Sequence, residues 1–318
     1  MKKEKVQQSI SREKENKFKI FRKIAVIFGI VALACVCVIA VLSFASKDKE
    51  LKPRTLEELL ALSDEDLGRV DIARMNLLCA TGLPHAENVD VEKYLETLDQ
   101  WAGVIQAAEK KYLPAFHRNP AKYENSLSKF KAIYMVLTTQ EDLRCGYNMY
   151  LVNSGILYDY KSLRFHEDSR DSFLHGMIER RKGTCASIPV FAVALGRRCG
   201  YPLYLVRGKG HLFFRWDDGK ERFNVEASTQ GTDIHPDERY YAWPFPTSQA
   251  ERTKEKFLKS LTPVEELSTF MFARGSCFHA HGRFKEAEEA YAVYLRGFPE
   301  SQFIHGLIAE VRRKGRQE

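Results

Sequence analysis

Three absences narrow this 318-residue chain before any motif is read. No glycine-rich phosphate loop of the Walker or dinucleotide type occurs, which removes the nucleotide-binding folds built on such a loop. Surplus charge is missing from most of the chain. The formal net charge is +7, but residues 1–23 hold nine Lys or Arg against Glu4, Glu13 and Glu15, a net of +6, so the remainder is near +1. A near-neutral folded portion has no general attraction to phosphate polymers, and nucleic acid is excluded as a partner. Finally, residues 24–45 carry no charge at all.

That uncharged run predicts a transmembrane helix, because 22 residues at a rise of about 1.5 Å each span a hydrocarbon core of about 30 Å. Nine basic residues precede the run, and only Lys47, Lys49, Lys52 and Arg54 follow closely. The asymmetry predicts a single-pass cell-membrane protein with a cytoplasmic N-terminus and an extracytoplasmic main domain. Ser43 and Ala45 have the spacing of a signal-peptidase site, while the length of the apolar run favours a retained signal-anchor.

What is present is globular: 44% hydrophobic and 29% charged residues, enough for about two ordinary domains. Seven cysteines occur, with Cys35 and Cys37 inside the apolar run. Of Cys79, Cys145, Cys185, Cys199 and Cys277, the four other than Cys185 can pair in an oxidising compartment or serve as small buried apolar residues, and the second use is the commoner.

Residues 46–54 read as a charged linker after the tail (1–23) and span (24–45). Thr55-Leu-Glu-Glu58 has the pattern of a helix start and opens a helical region, 55–147. Its apolar spacings predict a helix through Leu67, Val70, Ile72 and Leu77, a second over 90–111, and a third over 127–136. Over 148–261 the pattern changes to a helix near 171–181, another over 186–198, and β-type runs at 203–206, 211–216 and 222–226. Helices followed by an antiparallel sheet make an α+β fold. Thr262-Pro-Val-Glu265 opens a helical tail, 262–318. A 34-residue unit begun at Ser268 sets Gly275, Phe278, Phe284, Ala287, Tyr291 and Pro299 near tetratricopeptide (TPR) positions. One such repeat cannot bury its own face, so the tail is expected to pack on the core, with a protein partner as its lesser role.

The chemistry gathers on three residues. Cys185 follows Gly183-Thr184 at the predicted start of a helix, where unpaired backbone N–H groups and the helix dipole favour a thiolate. Asp218-Gly219 signals a two-residue hairpin turn. That turn pairs Asp217 with Lys220 and sets His211 directly opposite Glu226, with Cβ atoms about 5 Å apart. Phe213, Arg215, Arg222 and Asn224 share their polar face, whereas Leu212, Phe214, Trp216, Phe223 and Val225 form the core face. A carboxylate beside an imidazole fixes its tautomer and steadies its charged form.

Four ordered segments carry a resemblance: Gly183-Thr-Cys-Ala-Ser-Ile-Pro189, Gly196-Arg-Arg-Cys-Gly-Tyr-Pro-Leu203, Gly210-His-Leu-Phe-Phe-Arg-Trp216 and Phe223-Asn-Val-Glu-Ala-Ser228. Together they resemble the bacterial transglutaminase-like superfamily, most closely the SirB-type branch that joins such a core to C-terminal tetratricopeptide helices. The resemblance spans 60–299 and implies a papain-like core with Cys185 as nucleophile, His211 as general base and Glu226 as third member. Where the superfamily commonly has Asp, Glu226 is one methylene longer, so its backbone must sit farther from the imidazole.

The expected function is thiol acyl transfer on an amide, as a peptidase, amidase or transamidase, with a peptide or other amide as substrate. A non-catalytic scaffold holding a partner at the membrane is the competing reading. No cofactor or metal is expected. Cys277, His279 and His281 look like metal ligands, but on a helix only Cys277 and His281 share a face. Arg180-Arg181-Lys182 reads as a solvated helix end before it reads as a substrate-binding patch.

Overall fold

Side-chain caps decide where the helices begin. In the computed structural model, which describes residues 49–147, 163–226 and 233–317 with the isolated positions 149 and 153, Asp71 accepts the N–H groups of Ala73 and Arg74 at 2.8 and 3.0 Å and opens α1 (Ile72–Ala80). Asp90 accepts from Lys93 at 3.1 Å and opens α2 (Val91–Arg118). Ser126 accepts from Lys129 at 3.0 Å and opens α3 (Leu127–Glu141). The basic tail and the apolar run 24–45 lie outside the described residues, among which no helix is long and apolar enough to cross a membrane.

Several boundaries differ from those expected. Leu67 belongs to a separate turn, Asp64–Leu67, because the chain restarts at the Asp71 cap. α2 continues past Lys111 and through Pro114, held at its end by Phe116 packing against Tyr123 and Phe130. α3 runs beyond residue 136 to Glu141. The helix expected over 171–181 breaks at Phe173, whose backbone is extended (φ −127°, ψ 160°), into Ser169–Ser172 and α4 (Leu174–Arg180). Next come α5 (Ile188–Arg198), ended by Gly200 at φ +77°, and an antiparallel sheet in sequential order: β1 (Leu203–Gly208), β2 (His211–Asp217), β3 (Arg222–Glu226) and β4 (Asp233–His235). The tail forms α6 (Pro263–Ala280), α7 (Phe284–Gly297) and α8 (Gln302–Lys314), with Glu265 Oε2 accepting the Thr262 N–H at 2.9 Å as the capping box requires. Helices plus antiparallel sheet are the α+β arrangement expected.

One core joins these elements. Leu77 of α1, Phe191 and Leu195 of α5, Phe214 and Val225 of the sheet, and Phe270, Tyr291 and Val311 of the tail are buried in a single cluster. Each such side chain contributes roughly 1.5–3 kcal/mol on burial. Gly275 allows α6 and α7 to touch, since a Cβ there would meet the Tyr291 ring at 2.7 Å.

The hairpin register departs from the expected one. Asp217 pairs with Arg222, not Lys220, so a four-residue loop replaces the two-residue turn. Asp218 causes this: its carboxylate accepts the Lys220 and Glu221 N–H groups at 2.9 and 2.8 Å and the Trp216 indole N–H at 3.1 Å. A slip of two residues keeps every side chain on its face but moves partners along the strand. Continued, the register sets Phe213 opposite Glu226, which leaves His211 and Glu226 as diagonal neighbours.

The polar face is also not open to water. The segment after β4 folds over it, and its residues Leu258 and Leu261 donate backbone N–H groups to Arg207 and Leu205 along the edge of β1, both at 2.9 Å. Beneath it Arg215 is fully buried, donating to Asn224 Oδ1 at 2.7 Å and to Asp237 Oδ1 at 2.5 Å. A paired, hydrogen-bonded guanidinium meets the cost of that burial.

Candidate active site

The turn carrying Cys185 is fixed from below by two hydroxyls. Thr184 Oγ1 and Ser187 Oγ both donate to the Asp171 carbonyl at 2.8 Å. Ser187 Oγ also accepts the Thr184 N–H at 3.0 Å. Gly183 is required for close approach, because a Cβ there would meet Met177 Sδ at 2.2 Å and Ser187 Oγ at 2.5 Å. Cys185 stands one turn ahead of α5, not at its first residue, and the Ile188 N–H bonded to the Thr184 carbonyl at 2.9 Å winds this turn into the helix.

His211 opens β2 and meets both partners the sequence named. Its Nε2 lies 2.8 Å from Glu226 Oε2, and the Cys185 side chain is close enough to act electrostatically on the ring. Burial opposes the charged imidazole, but the interaction with the Cys185 side chain, the Glu226 hydrogen bond and the attraction of both groups outweigh it, and the pKa rises to about 10. Glu226 is 1% exposed and reaches the ring from the diagonal position, a longer path that its extra methylene suits.

Two aromatic residues that the sequence reading assigned no role hold this pair. Tyr240 stacks on Phe213 with centroids 3.8 Å apart, and its hydroxyl donates to Glu226 Oε2 at 3.3 Å. Burial, then the Glu226 charge, raises the Tyr240 pKa, so it remains a neutral donor. Trp243 meets the His211 ring edge-on at 4.9 Å. The aromatic run Tyr240-Tyr241-Ala-Trp243 just after the hairpin is the signal that could have found them.

Cys185 and His211 open into a cleft of about 230 Å³. His166, Ser172 and Phe165 line one part; Arg207, Lys209 and Phe257 line another; Thr269, Phe272, Tyr294 and Phe303 bring in the C-terminal helices. Other candidates lie elsewhere. Arg180 pairs with Asp168 at 3.3 Å and Asp171 at 2.7 Å, while Arg181 stacks on Trp101 at 4.0 Å, so neither arginine is a free helix end. His281 caps α6 through the Cys277 carbonyl at 2.8 Å. Among the described residues no His, Cys, Asp and Glu cluster could hold a metal.

The remaining described cysteines are free as well, but differ from Cys185 in setting. Burial pushes the thiols of Cys79 and Cys277 up to about 12 and that of Cys199 to about 11, and raises Cys145. None of these four lines the cleft.

The family model of the transglutaminase-like superfamily matches residues 92–268, more than half of the chain and a span that includes Cys185, His211 and Glu226. No curated protein and no solved structure matches the chain significantly.

Proposed function

The chain belongs to the transglutaminase-like superfamily, and from that premise we propose that it is a membrane-anchored cysteine enzyme that transfers acyl groups from an amide, with Cys185, His211 and Glu226 as its catalytic residues. The observation that carries this reading is the His211 imidazole hydrogen-bonded to a buried carboxylate and facing the same cleft as the Cys185 thiol.

In the proposed reaction the Cys185 thiolate attacks the amide carbonyl carbon, forming a C–S bond as the carbonyl electrons move to oxygen. Within the turn, the Ala186 N–H is bound to Thr184 Oγ1 and the Ser187 N–H to the Thr184 carbonyl, so the oxyanion falls to the Cys185 N–H. Collapse breaks the C–N bond while the His211 imidazolium gives its proton to the leaving amine. Water or a second amine then attacks the thioester, giving its proton to His211, and the C–S bond breaks to restore the thiolate. Glu226 holds the ring throughout and stabilises its charge. Water makes the enzyme a peptidase or amidase; an amine makes it a transamidase.

The test is labelling of the full-length protein with iodoacetamide at pH 6, with sites mapped by mass spectrometry. Modification of Cys185 well ahead of the four high-pKa thiols is expected. Labelling of Cys185 no faster than those would sink the enzyme reading in favour of a non-catalytic scaffold.

Two further parts of the proposal rest on sequence. Residues 24–45 anchor the chain, with 1–23 in the cytoplasm and the main domain outside, supported by the apolar length and the charge asymmetry. Protease added to intact cells should digest the C-terminal portion; a C-terminal tag protected until lysis would overturn this orientation. We also assign α6 and α7 as a tetratricopeptide-like unit of the SirB-type branch, supported by the Gly275–Tyr291 contact at matching positions. An experimental structure with α6 and α7 packed unlike such repeats would overturn it.

A further inference from the structure

The cleft contains a cation, Arg207, that neither the proposed chemistry nor an ion pair uses. Arg207 is the penultimate residue of β1, before the tight connection to β2 and next to the Gly208–His211 pair, so it is positioned by the same backbone that positions the imidazole. Its guanidinium lies 4.0 Å from the Phe298 ring centroid, with Phe257 and Tyr294 at 5.4 Å. These ring faces stabilise the positive charge, and the guanidinium in turn acts on the Tyr294 hydroxyl, favouring its ionised form against burial. Nη1 is shielded from water and has no hydrogen-bond partner, and among the described residues no carboxylate forms an ion pair with Arg207. Most buried donors in native structures are satisfied, and of the few such atoms among the described residues Arg207 Nη1 is the one on a cleft-lining side chain.

The neighbouring charges make the contrast sharper. Lys209, the other lysine or arginine of the cleft, is paired with Glu251 at 2.8 Å. Glu255 also lines the cleft, yet it is not bonded to Arg207. Around Arg207 stand the rings of Phe257, Tyr294 and Phe298, and Phe270 and Phe272 line the same cleft. An arginine without a counter-ion, set among rings in a cleft that ends on a nucleophile, is suited to a planar carboxylate attached to an apolar group.

We infer that Arg207 is a substrate-binding residue and that the acyl-transfer substrate carries a free carboxylate next to an apolar or aromatic group, held between the sheet edge and the C-terminal helices. This deepens the acyl-transfer reading of the same cleft and rests on it. It also gives α6 and α7 a part in selecting substrate, because Phe272 and Tyr294 supply the apolar wall.

The probe is N-acetyl-phenylalanine, compared with its carboxamide, by titration calorimetry on the full-length protein. The acid should bind at least tenfold more tightly than the amide and should protect Cys185 from iodoacetamide. Arg207→Met, which keeps the length of the side chain and its contact with Phe298, should bring the acid down to the affinity of the amide. Arg207→Lys should retain part of the preference, and Glu255→Gln should strengthen binding of the acid by removing an opposing charge. Equal affinities in the wild type, no binding of either compound, or a preference that survives in Arg207→Met would each overturn the inference. Loss of melting temperature in Arg207→Met with the preference intact would mean that Arg207 serves packing alone. Calorimetry does not involve the thiol, so a protein that prefers the acid yet resists iodoacetamide would refute the enzyme reading and leave the carboxylate site standing.

Discussion

Two histidines line the cleft, and the protein treats them in opposite ways. His211 is raised to about 10 and His166 is lowered to about 3, although both side chains are withdrawn from water. Burial pushes both in the same direction, against charge. The difference is the company each keeps. His166 has the Ser172 hydroxyl at 2.9 Å and the rings of Phe165 and Phe272 edge-on, none of them charged. His211 has Glu226 at 2.8 Å and the Cys185 thiol. Depth in a cleft therefore gives a neutral imidazole by default, and a carboxylate with a thiol is what holds the proton on the ring.

The harshest way to break this comparison is to remove a member of the coupled group. Cys185→Ser and His211→Ala should each lower p-nitrophenol release from p-nitrophenyl acetate by about 10⁴-fold. The double variant should be little worse than either single one, since residues acting as a unit lose function together. Additive losses would mean that the two side chains do not share a reaction, and the contrast between the histidines would lose its functional meaning.

A subtler change should make His211 resemble His166. Glu226→Gln keeps an acceptor for the ring but deletes the charge, and a loss of about 10²-fold is expected. The pH profile carries more information. In the wild type the imidazolium persists until the pH approaches about 10, so the alkaline limb of the rate should lie there. In Glu226→Gln burial is less opposed, and the limb should move to lower pH. Stability follows the same sign: the His211 contribution is complete below its unfolded value of 6.5 and is lost as pH rises through about 10. An alkaline limb that stays in place in Glu226→Gln would show that the carboxylate is not what holds the proton.

How much of this contrast could be read in the sequence depends on how local the physics is. Alternation alone gave the two faces of the hairpin, and because the register slip is two residues, His211 and Glu226 remained on one face. The slip itself comes from the Asp218 carboxylate, which accepts two backbone N–H groups and the Trp216 indole and so lengthens the turn. A dipeptide rule for Asp-Gly does not contain that competition. The covering of the polar face was invisible because it depends on Tyr240, Leu258 and Leu261, which lie far along the chain and meet the sheet only after folding. His166 drew no attention because a histidine in an irregular segment has no period, and its burial comes from Phe272 in a helix about a hundred residues later.

The smallest expected effect bears on His166 and tests the passive half of the comparison. Its folded pKa of about 3 lies below its unfolded value of 6.5, so burial favours the neutral ring in the folded state. The stability linked to it is present above pH 6.5 and is lost as pH falls toward about 3, because the unfolded chain takes up the proton first. His175, lowered to about 4 mainly by burial, adds a loss of the same sign. His166→Phe retains aromatic volume against Phe165 and Phe272 but leaves the Ser172 hydroxyl without its partner, which should cost about 1 kcal/mol at neutral pH. Between pH 6.5 and 3 the variant should lose stability more gradually than the wild type, because one of the histidines that burial holds neutral, His166, His175 and His279, no longer titrates on unfolding. Urea unfolding at a series of pH values measures this slope directly. Turnover should fall less than about tenfold, since this ring neither shares a proton with the thiol nor bears charge. A folded His166→Phe protein with turnover as low as that of His211→Ala would make His166 part of the chemistry, and burial without a charged partner would no longer distinguish the silent histidine from the active one.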